Sequence, residues 1–225
     1  MIAVVDYHKG NLKSVERGLI GVGGDARITD DAAAIAAARA IVLPGVGAFA
    51  DAMESLRELG LADLLVERIE AGVPFLGICL GLQLLYEQGE EGAPAGETVA
   101  GLGVLPGTSR ALPNVDAQGN RYKIPHVGWN SVEFVEAPSE SAGADALPAA
   151  CPLFAGIPEG EHFYFTHSFV APASPFTVAT TTHSITFPSA AQKGAACFGV
   201  QFHPEKSSDA GMQLLRNFAD IVERA

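Results

Sequence analysis

One cysteine in this chain stands where a nucleophile would. Gly77-Ile78-Cys79-Leu80-Gly81 follows a run of apolar residues and precedes a helical pattern. A cysteine between a strand and a helix, flanked by glycines, fits a nucleophile elbow with sulfur in place of a serine hydroxyl. The glycines let the turn close where a side chain would strike neighbouring backbone. The start of a helix behind the sulfur favours thiolate over thiol. The plainer alternative is a buried core cysteine with glycines for close packing. A thiol nucleophile needs a base and a group to orient that base. Among six histidines, Phe202-His203-Pro204-Glu205 offers both. On an extended segment, residues two apart share a face, so Glu205 can hold the imidazole of His203 while His203 takes the thiol proton. Read alone, this pair is more readily a solvated strand end before a proline turn, and the elbow cysteine reverses that balance. The order Cys, His, Glu differs from the Ser, Asp, His order of α/β-hydrolases. A developing oxyanion needs donors. The backbone N–H groups of the segment after Pro44, in Pro44-Gly45-Val46-Gly47, can join that of Leu80 to supply them. Gly45-x-Gly47 is a weak dinucleotide-loop match, because Ala50 stands where a third glycine belongs.

These residues require a scaffold, and the first half of the chain supplies its pattern. Ile2–Val5, Ala26–Thr29, Ile41–Leu43 and Pro74–Cys79 read as short apolar strands. Between them Leu12, Val15, Leu19 and Ile20 take helical spacing after Asn11 in the N-cap position. Asp30–Ala38 is alanine-rich, and Phe49 to Ile69 marks one or two amphipathic helices. Leu80–Gln88 reads as the helix after the cysteine. Continuous apolar strands alternating with helices predict a mostly parallel central sheet covered on both faces. The second half is β-rich, with pieces at Gly103–Leu105, Ser131–Val135, His162–Val170, Phe176–Thr182 and Ala196–Phe202. Ala137–Pro152 reads as a surface loop. Ser208–Arg224 reads as a closing helix, with Asp209 near its start. The expected fold is one α/β domain over residues 1–225, of flavodoxin-like type with an elaborated β-rich half.

Composition sets the bounds. The 225 residues are 48% hydrophobic and 18% charged, which fits a folded chain. Lys plus Arg total 14 against 26 Asp plus Glu, a net charge of −12. That surface repels phosphate backbones, so no nucleic-acid partner is expected. No stretch is long and apolar enough for a membrane span, and Met1 leads directly into a strand rather than a signal segment. Cys79, Cys151 and Cys197 form no disulfide framework, and a reducing, cytoplasmic location is expected. Cys151 and Cys197 are expected to be structural. No His-x₃-His or Cys-x₂-Cys pair suggests a metal, and His162 and His167 fall on opposite faces of a strand. No cofactor is implied.

Gly-Ile-Cys-Leu-Gly-Leu-Gln at 77–83 and Gly-Val-Gln-Phe-His-Pro-Glu-Lys-Ser at 199–207 resemble the two signatures of class I, triad-type glutamine amidotransferases. Pro44–Gly47, Pro125-His126-Val127-Gly128-Trp129-Asn130, Tyr164-Phe165-Thr166-His167-Ser168 and Gly10-Asn11-Leu12 narrow the resemblance to the glutaminase subunits of imidazole glycerol phosphate synthases. The resemblance runs from Asp6 to the last helix. It implies that Cys79 attacks the side-chain amide of glutamine, with His203 and Glu205 completing a triad. It also implies that Gln83, Glu91 and the backbones of Ser168 and Phe169 bind glutamine, and that Val46 and Gly47 supply oxyanion donors. Asn11, Trp129, Tyr164 and Lys206 would face a cyclase subunit of (β/α)₈-barrel type. That cyclase would use the ammonia to make imidazole glycerol phosphate and AICAR in histidine biosynthesis. His167 is a further candidate for the subunit junction. His8-Lys9, Phe169 and His183-Ser184 depart from the usual pattern, and none of them touches the triad. Three other readings stay open: a glutaminase serving another synthase, a non-catalytic scaffold, and a cysteine peptidase on a related fold.

Overall fold

The computed structural model describes residues 1–8, 10–135 and 151–225. Its elements, in chain order, begin β1 (Ile2–Val5), α1 (Leu12–Gly21), β2 (Ala26–Thr29), α2 (Ala32–Ala36), β3 (Ala40–Gly45), α3 (Phe49–Glu58), α4 (Leu61–Glu70), β4 (Phe75–Cys79) and α5 (Leu80–Leu84). There follow β5 (Tyr86–Gly89), β6 (Val99–Ala100), β7 (Leu105–Ala111), β8 (His126–Ser131), β9 (Glu133–Phe134), β10 (His162–His167) and β11 (Phe169–Val170). Last come β12 (Thr177–Thr182), β13 (Thr186–Lys193), β14 (Cys197–Val200) and α6 (Ser208–Arg224).

The main sheet has the order β2-β1-β3-β4-β14-β13-β12-β9. Its first five strands pair in parallel, and the rest are antiparallel. The order 2-1-3-4-5 among the parallel strands is the flavodoxin-like winding. Every residue of β1, β3, β4 and β14 is buried. Period-two alternation sorts them to two cores. Ile2, Val4, Ala40, Val42, Leu76 and Ile78 pack toward α1 and α6, while Ala3, Val5, Ile41, Leu43 and Phe75 pack toward the helices from 32 to 70. That two-sided burial is why the strands read as unbroken apolar runs rather than alternating ones. Among the described residues no helix is long and apolar enough to cross a membrane.

Several sequence expectations need correction. The helix after Cys79 ends at Leu84 rather than Gln88. Tyr86–Gly89 is strand, because Gln88 and Gly89 pair with Ala100 and Val99 and the same strand runs parallel to β7. Of the one or two helices expected from Phe49 to Ile69 there are two, parted at Gly60, whose φ of 66° is left-handed. His162–Val170 is two strands broken at Ser168: β10 pairs with β8, and β11 pairs with β7. The strand expected over Gly103–Leu105 begins only at Leu105. The strand expected at Ser131–Val135 is instead β8 and the short β9. Thr186–Lys193 forms a long antiparallel strand between β12 and β14 that the sequence reading passed over. Asn11 occupies the N-cap position of α1 without a side-chain cap, since its Oδ1 accepts from Ser14 Oγ at 3.0 Å. The loop expected at Ala137–Pro152 lies outside the described residues, except for its last two positions, and Lys9 lies outside them entirely.

Candidate active site

The carboxyl ends of β3, β4 and β14 lie side by side, where open α/β sheets place ligands. Gly45 is in register with Cys79, and Val200 with Ile78. The chain leaving β14 therefore carries Gln201 and His203 past the same edge. Cys79 itself has φ 56° and ψ −107°, a conformation strained for any residue with a side chain. Such strain costs on the order of 1–3 kcal/mol and persists only where the surroundings enforce it. Here they do. A Cβ on Gly81 would drive into the Leu43 carbonyl, and one on Gly199 would strike Leu82. Both glycines let α5 sit directly on the sheet, so the sequence's glycines serve close packing and the elbow together.

Besides His203, the sulfur meets two polar groups. The Cys79 thiol points to the Thr166 carbonyl at 3.7 Å, and Gln201 Nε2 donates toward Sγ at 3.7 Å. His203 Nδ1 lies 2.9 Å from Glu205 Oε1, with side-chain exposures of 4% and 1%. The expected reason for this contact was wrong in one respect. Only His203 is extended, and Glu205 sits in a 3-10 turn over Pro204–Lys206 that curls the carboxylate back under the ring. Ser207 locks the turn by donating to the His203 carbonyl at 2.6 Å and accepting from the Tyr164 amide at 2.9 Å. His203 Nε2 has no hydrogen-bond partner of ordinary geometry. Burial pushes the His203 pKa down, but hydrogen bonding and charge from Cys79 and Glu205 overcome it and raise it to about 9. A ring so held favours the protonated form whenever a negative sulfur faces it.

A cleft of about 390 Å³ opens over the sulfur. Val46, Gly47, Leu80, Gln83, Glu91, Ser168 and Phe169 all line it with Cys79. The candidate oxyanion and ligand-binding residues are thus brought to one place. Gly47 has φ 97°, a left-handed conformation natural only to glycine. Gln83 is 3% exposed and spends both amide hydrogens internally, on the Phe169 carbonyl at 2.9 Å and Gln201 Oε1 at 3.0 Å. Only its oxygen is free to meet a ligand. Burial pushes the Glu91 carboxyl above its usual range, with Asp51 adding to the rise against a hydrogen bond from the Phe49 backbone. A cationic group docking there would relieve that penalty.

Trp129, Tyr164 and Lys206 form a second cluster beside the cleft. Trp129 is in register with Tyr164, their rings meet edge to face at 6.2 Å, and Lys206 Nζ lies 5.9 Å from the Tyr164 ring centre. Trp129 is 51% exposed and Val127 56%, so the only tryptophan is no core residue. Asn11 heads α1, and among the described residues no hydrogen bond or ring contact joins it to this trio. His162 is exposed and His167 buried, as strand alternation requires. His167 lines the cleft rather than an outer face. Cys151 and Cys197 sit away from the cleft, their thiols pushed up to about 12 by burial. Gln201 and Ser207 are the residues that sequence reasoning passed over. Both lie inside the quoted 199–207 stretch, and their nearness in sequence to His203 was the available signal.

The model of the class I glutamine amidotransferase family matches residues 3–222. The imidazole glycerol phosphate synthase subunit HisH of Moorella thermoacetica is 45% identical, over 100% of this chain and 96% of its own length. Its counterpart of the same name in Rhodopirellula baltica is 45% identical over 97% of each chain. Among solved structures, a glutamine amidotransferase superposes with a TM-score of 0.69 at 19% identity, covering 99% of this chain and all of that one. The glutaminase domain of Trypanosoma brucei CTPS, solved with bound acivicin, gives 0.62 at 16% identity, covering 99% and 93%. At such identity these two speak for the fold alone.

Proposed function

The chain belongs to the class I glutamine amidotransferases, and from that premise we propose that it is the glutaminase subunit of an imidazole glycerol phosphate synthase, a single catalytic domain over residues 1–225 working in the cytoplasm. The chemistry rests on one observation: a strained Cys79 that lines a cleft and whose side chain interacts with His203 of the buried His203–Glu205 pair. The synthase assignment rests on full-length relatives that carry that name.

In this reading Cys79 gives its proton to His203 and attacks the side-chain amide carbon of glutamine. Glu205 stabilises the imidazolium and fixes its orientation. The amide oxygen becomes an oxyanion held by the N–H groups of Val46, Gly47 and Leu80. His203 returns the proton to the departing nitrogen, the C–N bond breaks, and ammonia leaves a glutamyl thioester. Water, deprotonated by His203, then cleaves the thioester to glutamate and free thiol. Glu91 and the Gln83 oxygen suit the α-ammonium of glutamine, and the Ser168–Phe169 backbone frames the rest. The substrate is glutamine, and no cofactor is called for.

The partner is a cyclase subunit of (β/α)₈-barrel type, which closes an imidazole ring with the ammonia and releases imidazole glycerol phosphate and AICAR. Ammonia escaping to bulk water would be protonated and lose its nucleophilicity, so the two chains must enclose the transfer. Trp129, Tyr164 and Lys206, with Asn11, form the face for that partner. A turn of the Gly45–Gly47 backbone that withdraws an oxyanion donor would keep the glutaminase quiet until the cyclase holds its nucleotide. The test is glutamate release from glutamine by the purified chain, alone and with a cyclase and its nucleotide substrate. Strong stimulation by the loaded partner supports the assignment. No stimulation by a cyclase that is active on added ammonium overturns it.

A further inference from the structure

The Pro125–Asn130 stretch supplies Trp129 to the surface, yet its other face is used as well. On β8, Val127 and Trp129 are exposed while His126 is 4% exposed and turned inward. His126 and His167 are in register across β8 and β10. His126 is packed between Phe165, stacked at 5.0 Å, and His183, stacked at 4.3 Å.

Hydrogen-bond logic fixes every proton here. His167 Nδ1 lies 3.0 Å from the Phe169 carbonyl, which can only accept, so Nδ1 carries the hydrogen and Nε2 is a bare acceptor. His126 Nδ1, 3.0 Å from that Nε2, must donate to it. His126 Nε2 is then bare and accepts from Asn130 Nδ2 at 3.2 Å. The Asn130 amide cannot be flipped, because its Nδ2 also donates to the Thr182 carbonyl at 2.9 Å and its Oδ1 accepts from the Ser131 amide at 2.9 Å. The Phe169 carbonyl that ends this line also accepts from Gln83, whose second N–H reaches Gln201, whose Nε2 reaches the Cys79 sulfur.

We propose that His126 and His167 are positioning residues: a one-directional relay, Asn130 to His126 to His167, that anchors the Phe169 carbonyl and so sets Gln83 and Gln201 against the nucleophile. The relay ties the glutamine cleft to the strand that presents Trp129 to the partner, and its catalytic consequence rests on the glutaminase reading above. Burial already favours the neutral rings the relay needs. It lowers His126 to about 4, with His183 adding to the effect, and His167 to about 3, with His126 adding more than the Phe169 carbonyl restores. A proton on either ring would set donor against donor.

Two measurements test this. Long-range ¹H–¹⁵N NMR of the labelled chain at neutral pH should show both rings as the Nδ1–H tautomer. An Nε2–H tautomer or a protonated ring at either position overturns the relay, whatever the chain's activity. In the complex with its cyclase, His126→Phe fills the same stacked slot but leaves His167 Nε2 unpaired. It should raise KM for glutamine about tenfold, with kcat changed far less and ammonium-driven ring closure unchanged. His167→Phe should do the same. His167→Asn, whose amide can still donate to the Phe169 carbonyl, should restore KM to within about threefold of wild type. Unchanged KM in both phenylalanine variants, or equal damage from His167→Asn and His167→Phe, overturns the positioning role. A wild-type complex that releases no glutamate sinks the glutaminase reading instead, and the NMR result still decides the relay.

Discussion

Replacing Glu205 by Gln isolates the charge of the carboxylate, because glutamine keeps an oxygen that can accept from His203 Nδ1. His203 stands at about 9 instead of 6.5. That difference is about 3 kcal/mol in favour of the protonated ring. Burial opposes it, so Cys79 and Glu205 together contribute more than that figure. If half of the net falls to Glu205, its charge is worth about one pKa unit, a factor of about ten. Because the ring must be protonated to hand its proton to departing ammonia, glutamate release by the ligand-stimulated complex should decline as pH rises through about 9. In Glu205→Gln that decline should begin about one pH unit lower, and the rate near pH 10, above both values, should fall about tenfold. The same linkage shows in stability. A pKa raised in the fold stabilises fully below the unfolded value of about 6.5, and that contribution is lost as pH rises through about 9. The destabilisation by Glu205→Gln should therefore be largest at or below pH 6.5 and shrink above 9. A variant that keeps the alkaline decline near 9, with a rate within twofold of wild type, would refute the triad assignment of Glu205.

Other outcomes follow from the same geometry. Gln201→Leu removes the donor to the Cys79 sulfur and the acceptor for Gln83. It should lower kcat/KM about tenfold or more in a steady-state glutaminase assay, with the fold retained by circular dichroism. Gly81→Ala pushes a Cβ into the Leu43 carbonyl. It should cost about 3 kcal/mol and lower the melting temperature by about 6–12 °C by calorimetry. Trp129→Ala should leave the melting temperature within a few degrees and weaken cyclase binding by about 2 kcal/mol, near 30-fold in Kd by titration calorimetry. His126 and His167 are held below the usual histidine value, so the unfolded chain takes up their protons first. Stability they contribute above about pH 6.5 should be lost as pH falls toward 4 and then 3. Urea titrations across that range should show a shallower loss in His126→Phe.

The parallel half of the fold was legible because its strands are buried on both faces, which leaves unbroken apolar runs such as Ile41–Leu43 and Phe75–Cys79. Cys79 and its glycines were legible because an elbow is a local device, written in five consecutive residues. The His203–Glu205 contact was foreseen for an incomplete reason, since a turn rather than an extended segment makes it. What stayed hidden is non-local. Nothing near residue 86 announces that Tyr86–Gly89 must pair with residues 99–111 instead of continuing a helix. The line from Asn130 through His126, His167, Gln83 and Gln201 joins residues up to 122 positions from Cys79. Each looks like an ordinary polar residue until the sheet edge assembles them. Trp129, set on a partner face by the family resemblance alone, stands half exposed against Tyr164.

If Cys79 makes the ammonia that a partner consumes, Cys79→Ala in the assembled complex decides it, with ring closure measured once with glutamine and once with ammonium as nitrogen source. Glutamine-driven ring closure should then be abolished while ammonium-driven closure proceeds at the wild-type rate. Glutamine-driven closure that survives the substitution would contradict it.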